Sequence, residues 1–186
     1  MKFLDKIGDK INEKIDDTLN PKVSSTNNSN WKEEYSEEKS KKHGKKIAEL
    51  EQQMNEFYQN DSYHDLLDCC LEIRQIDPFH MDARKLSIYG WRGLENYKTA
   101  YEDCSKLLQE YPNDNFLTEE MGLILFRSRK YIESIPLFES LIQRIPYTDS
   151  LALDSKLNKA SALLNSYNFE EAVQFCTEEL KLHNDN

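Results

Sequence analysis

Tyr63–Pro78 reads YHDLLDCCLEIRQIDP, Tyr97–Pro112 reads YKTAYEDCSKLLQEYP, and Tyr131–Pro146 reads YIESIPLFESLIQRIP. Each stretch opens on a tyrosine and closes on a proline, and each begins 34 residues after the last. Inside them apolar residues recur three and four positions apart, the spacing that lines one face of an α-helix. Proline then ends the run, because it lacks an N–H and its ring collides with the preceding turn. A regular period of this size is the mark of a chain built from stacked two-helix repeats.

Working outward, the same helical period predicts helices near 42–59, 62–76, 80–93, 96–110, 114–128, 130–144, 149–165 and 168–182, with no period-two strand pattern between them. The breaks carry stop and start signals. Asn60-Asp61-Ser62 offers an N-cap, and Pro112-Asn113-Asp114 ends one helix and caps the next. Pro136 falls inside a helix, where it should bend the helix or occupy its first turns. Residues 1–20 form a separate block. Phe3, Ile7, Ile11, Ile15 and Leu19 recur every four residues beside Lys2, Lys6, Lys10 and Lys14, which predicts an amphipathic helix ended by Pro21. Residues 21–41, rich in Asn and Ser at their start, read as a disordered linker.

Aligned on the prolines, the repeats resemble those of the tetratricopeptide family. Second helices carry the pairs Leu66/Cys70, Ala100/Cys104, Ser134/Phe138 and Ala172/Cys176, each preceded by an aromatic at Tyr63, Tyr97, Tyr131 or Phe169. First helices carry Met54, Ile88, Gly122 and Ala160 where helices approach closely, and Phe57, Trp91, Leu125 and Leu163 one turn later. The family's leading Trp-x-x-Leu is absent. The fourth repeat is displaced by four residues, which predicts an extra turn in its first helix. The resemblance implies an all-α superhelical solenoid of about four helix-turn-helix repeats over 42–186, preceded by the N-terminal helix and linker.

Composition narrows the function. The net charge is −10, with −1 on residues 1–20, +3 on 21–46 and −12 on the remainder. A nucleic-acid binder needs the opposite, a basic stripe that displaces counterions, so no nucleic-acid partner is expected. The four cysteines, Cys69, Cys70, Cys104 and Cys176, form no C-x-x-C pair, and the histidines sit at no metal-ligand spacing. They read as small buried hydrophobes with free thiols, which points to the cytoplasm. There is no phosphate-binding glycine loop, no nucleophile elbow and no secretory signal. No enzyme, cofactor or metal is therefore expected.

What remains is binding. The resemblance implies a non-catalytic protein-interaction module that takes a peptide or helix in a concave groove lined by first helices. Given the core positions, Tyr58, Lys85, Tyr89, Arg92, Leu123, Phe126 and Arg127 are the groove-lining candidates. Some family members clamp a C-terminal carboxylate with Lys, Asn and Arg, but here Tyr89 and Glu119 stand where clamp residues are needed. A partner segment with apolar anchors and one or two acids suits this lining better. The alternative is a peripheral membrane adaptor, or a self-assembling protein, acting through the N-terminal helix. Acids balance its lysines, so a membrane surface is the less favoured partner. A homo-oligomer is a third arrangement, since Val173 and Leu180 on the last repeat call for a cover.

Overall fold

The computed structural model describes the backbone of residues 30–184 and the side chains of residues 44–182. The N-terminal helix expected over residues 1–20 lies outside the described residues. Among those described there are eight helices and no strand: α1 (Asn30–Gln59), α2 (Tyr63–Ile76), α3 (Met81–Gly93), α4 (Tyr97–Glu110), α5 (Asn115–Arg127), α6 (Tyr131–Arg144), α7 (Ser150–Asn165) and α8 (Phe169–Asn184). From α2 onward, each boundary lies within two residues of its expected place. The described residues form an all-α helical solenoid of four two-helix repeats. No described helix is long and apolar enough to cross a membrane.

One expectation is corrected. The linker was expected to run to residue 41, yet α1 begins at Asn30. The Asn/Ser cluster ends there, and residues 32–42 consist mainly of Glu and Lys. Both are good helix formers, so the backbone stays helical without needing a strong apolar pattern.

The repeat is written into the backbone as well as the side chains. Asp61, Glu95, Arg129 and Tyr167 have φ of 53°, 59°, 63° and 65°, one left-handed residue in the turn of each repeat. The N–H groups of the residues that follow, Ser62, Asn96, Lys130 and Asn168, donate to the carbonyls of Phe57, Trp91, Leu125 and Leu163 at 2.9–3.0 Å. This is the Schellman closure, which satisfies carbonyls left over at a helix end. Ser62, which the sequence offers as a cap, makes no side-chain cap bond. Side-chain caps occur at three of the other starts, while Lys130 before α6 makes none. Asp114 accepts from Leu117 N–H at 3.0 Å, Asp149 from Leu151 N–H at 2.9 Å, and His80 Nδ1 from Ala83 N–H at 3.3 Å.

A non-glycine residue at positive φ is strained by contact between its Cβ and the backbone. Glu95 is exposed. Glu95→Gly removes that strain, roughly 1–2 kcal/mol for a left-handed residue, at the cost of a floppier unfolded chain, roughly 0.5–1 kcal/mol, and is expected to stabilise the protein by about 0.5–1 kcal/mol. Urea denaturation of the variant beside the parent chain measures it.

The described residues divide into two compact units, one ending at Ala100 and the other beginning at Tyr101. In the first, α2 packs against α1 and α3. Its core holds Met54 from α1, Leu66, Cys70 and Ile73 from α2, and Ala83, Ile88 and Trp91 from α3. Close approach is allowed by glycine. A Cβ on Gly90 would fall 2.8 Å from Leu67 Cγ, and one on Gly93 would fall 2.4 Å from the Tyr63 ring.

In the second unit, α6 packs against α5 and α7, and α8 against α7. One apolar cluster joins Phe138, Leu141 and Ile145 of the third repeat to Ala152 of α7. Another joins Ile135 to Ala162, Leu163 and Ala172. At the close-approach site, a Cβ on Gly122 would fall 2.7 Å from the Phe138 ring. The expected extra turn is present, since α7 has 16 residues where α3 and α5 have 13. Pro136 lies in the second turn of α6 with its ring exposed, so the Ile132 carbonyl lacks its helical donor on a solvated side. Two lysines brace the fourth repeat. Lys156 Nζ lies 2.6 Å from Glu179 and 3.8 Å from the Tyr147 ring centroid, and Lys159 Nζ lies 2.8 Å from Glu139 and 4.3 Å from the Phe175 ring centroid.

Candidate peptide-binding surface

The strongest grouping of the expected binding residues lies in the first compact unit. Tyr58 is in the last turn of α1, and Tyr89 and Arg92 are in the last turns of α3. Their positions follow from helix periodicity, since Lys85, Tyr89 and Arg92 are spaced four and three apart along one face. The Tyr58 and Tyr89 rings meet edge to face at 4.7 Å between centroids. The Arg92 guanidinium carbon lies 4.9 Å from the Tyr89 centroid, within cation–π range. Lys85 is half-buried one turn earlier on α3.

Two partners of this group escaped the sequence reading. Tyr63, expected as a packing aromatic, lies 5.7 Å from Tyr89 between ring centroids. Asp61, expected only as part of a cap, accepts a hydrogen bond from the Tyr89 hydroxyl. The left-handed turn at residue 61 carries that carboxylate back towards α3. Nothing in the sequence gives the sign of φ at an Asp, and the recurrence of the turn every repeat is the only signal available. Burial, followed by the hydrogen bond to Asp61, raises the Tyr89 hydroxyl pKa well above the ordinary phenol range. Tyr89 is therefore a fixed neutral donor, holding one face of its ring to Arg92 and an edge to Tyr58.

The remaining three candidates belong to the second unit. Leu123 is half-buried and packs on the Phe138 cluster. Phe126 is also half-buried. It packs on the Ile135 cluster and meets Tyr131 edge to face at 5.3 Å. Arg127, at the end of α5, is exposed. Leu123 and Phe126 thus serve packing, and Arg127 is the one of the three whose side chain is open to a partner.

The thiols behave as the sequence suggests at three positions and differently at the fourth. Cys69, Cys70 and Cys104 are buried, and Cys176 is exposed. Burial pushes Cys69 up to about 11 and Cys70 and Cys104 up to about 12. Cys69 Sγ and Cys104 Sγ donate to the carbonyls of Leu50 and Leu117 at 3.1 and 3.3 Å. Such thiols are neither nucleophiles nor metal ligands at neutral pH. Among the described residues no group of three His, Cys, Asp or Glu side chains is placed to hold a metal.

These shifts set a pH window. The native state keeps three thiol protons that the unfolded chain loses above its ordinary pKa of 9.0. Their contribution to stability is therefore complete below pH 9 and falls as pH rises through 11 to 12. Urea midpoints taken between neutral pH and pH 11 are expected to decline only in the upper part of that range.

No protein-family model matches the sequence, and no curated protein matches it. Solved structures do. One described as "MamA RS-1 ArsTM double mutant" is 14% identical with a TM-score of 0.62, covering 76% of this chain and 77% of that one. The first TPR domain of human RPAP3, solved by NMR, is 17% identical with a TM-score of 0.55, covering 66% of this chain and 95% of that one. At this identity the likeness establishes the fold. The protein has the tetratricopeptide-repeat fold, as its 34-residue register implies.

Proposed function

We propose that the protein is a non-catalytic interaction module of the cytoplasm, which binds a peptide or helix of a protein partner through the first helices of its repeats. The observation that supports this most directly is the Tyr58–Tyr63–Tyr89–Arg92 group, with Asp61 fixing the Tyr89 hydroxyl. Aromatic rings and arginine are the side chains that dominate binding energy at protein interfaces. Here they are pre-ordered, so little side-chain entropy is lost on binding. The surface suits a segment with an apolar or aromatic anchor and one or two acids, with Lys85 as a further cation on α3; on the second unit, exposed Arg127 offers a cation of its own. Leu123 and Phe126 support the lining of α5 from beneath.

The test is affinity capture with the full chain, read by mass spectrometry, beside the variant Arg92→Glu/Arg127→Glu. Placing acids opposite an acidic segment is expected to remove the specific partners, or to weaken them at least about tenfold, equivalent to roughly 1.4 kcal/mol. An unchanged set of partners would overturn the assignment of this face.

A further inference from the structure

Phe169, Val173, Cys176 and Leu180 follow one another along α8 at spacings of four, three and four residues. At about 100° per residue they fall within about 60° of arc on one face of the helix. That face is turned away from the core. Phe169, Val173 and Leu180 are 56%, 66% and 63% exposed and Cys176 is exposed, whereas Ala172 is buried in a cluster with Ala162 and Leu163 of α7. Single exposed apolar side chains are ordinary, but a row of four on consecutive turns marks a contact surface. At the start of the row lies an open depression of about 540 Å³, bordered by Tyr167, Phe169, Glu170 and Glu171. The Tyr167 and Phe169 rings meet there edge to face at 6.0 Å between centroids.

We infer that this face docks an amphipathic helix of a partner protein, with an apolar stripe flanked by lysine or arginine. The helical form of the occupant follows from the spacing. Apolar residues alternating four and three apart form the seam along which two helices lie side by side, and such a seam takes a matching apolar stripe. The basic flanks follow from charge. The exposed charged residues of α8 are Glu170, Glu171, Glu178 and Lys181, three acids against one base. Glu178 keeps its charge while accepting from Gln174 Nε2 at 2.9 Å. On the neighbouring α7, Lys156 and Lys159 are already paired with Glu179 and Glu139, so they do not offset the acids of α8.

The depression suits one of those basic side chains. Its methylene stem lies across the Tyr167 and Phe169 rings, and its charge meets a ring face and the carboxylates of Glu170 and Glu171. This fixes the register of the docked helix at one end of the seam. The same charges disfavour a second copy as occupant. Two α8 faces set together would gather six acids against two lysines, and like charges at short range repel. The surface is separate from the Tyr58–Tyr89–Arg92 group, which belongs to the first unit and attracts the opposite charge.

Cys176 lies on the seam and is the one exposed thiol among the described cysteines, so its maleimide modification reports occupancy. The probe is a synthetic helix of about three heptads with leucine at a and d and lysine at e and g, added to the full chain. Modification is expected to slow about tenfold at a peptide concentration roughly ten times its Kd. A peptide with glutamate at e and g is expected to bind at least about tenfold more weakly, a difference of roughly 1.4 kcal/mol. Val173→Asp/Leu180→Asp changes two exposed side chains outside the core and leaves every acid in place. It is expected to keep its circular dichroism spectrum and to lose at least about tenfold in affinity for the lysine peptide. Arg92→Glu/Arg127→Glu is expected to protect Cys176 as the parent chain does. Absence of slowing up to about 1 mM lysine peptide overturns the inference. So does equal protection by the two peptides, which removes the charge match, or full affinity in Val173→Asp/Leu180→Asp, which removes the seam. Protection of Cys176 that rises with protein concentration without peptide, together with a rising mass by light scattering, overturns the basic partner and makes a second copy the occupant.

Discussion

Phe138→Ala is expected to destabilise the protein by about 3–5 kcal/mol, the cost of emptying an aromatic site in a packed core. Phe138 is fully buried and joins Leu141 and Ile145 to Ala152 of the next repeat. Its ring fills the space that Gly122 leaves open, and a glycine cannot extend to close the cavity. The loss is therefore expected near the upper end of that range, and it should appear as a lower urea midpoint with an unchanged slope. Phe138→Leu retains most of the volume and is expected to lose less than half as much. Equal losses in the two variants would show that the cavity is not the cause.

The second large effect is expected at Gly93. A Cβ there meets three carbons of the Tyr63 ring at 2.4–2.6 Å, the ring root Cγ among them. The ring cannot swing clear about its outer bond alone, so Tyr63 must change rotamer or the α2–α3 spacing must widen. Gly93→Val is expected to cost about 1–3 kcal/mol for the overpacking, plus a smaller amount for a β-branched residue at a helix end. The variant also separates stability from binding. Tyr63 touches Tyr89, so moving it disturbs the aromatic group while leaving Arg92 in place. Captured partners are expected to fall in Gly93→Val even at temperatures where circular dichroism shows the fold intact. Full retention of partners would confine binding to Arg92 and Tyr58.

The close-approach positions show how far a sequence reading goes. Gly122 and Phe138 can be picked out by register, and so can Met54 and Ile88 with Cys70 and Cys104 at the matching places. Large first-helix residues in the first two repeats stand in register with small second-helix residues, and the third repeat reverses the pattern. Taken one helix at a time, Met54 and Ile88 suggest wider spacing. In the structure both are buried, 2% and 0% exposed. The candidate residues divide in the same way. That Lys85, Tyr89 and Arg92 share a face was legible from helical spacing. Asp61 was not, because its role depends on a left-handed turn that brings it to a residue 28 positions away.

By itself, the sequence determined the helices from α2 onward, the 34-residue register and the extra turn in α7. All three are local, set by apolar spacing, by proline's missing N–H and by the count of residues between them. Only the tertiary structure decided which members of an apolar face are covered. Tyr63, Tyr131 and Phe169 are equivalent in the sequence, yet the first two are half-buried and the last is open. Burial belongs to a pair of surfaces, so it cannot be read from one helix until the element lying across it is known.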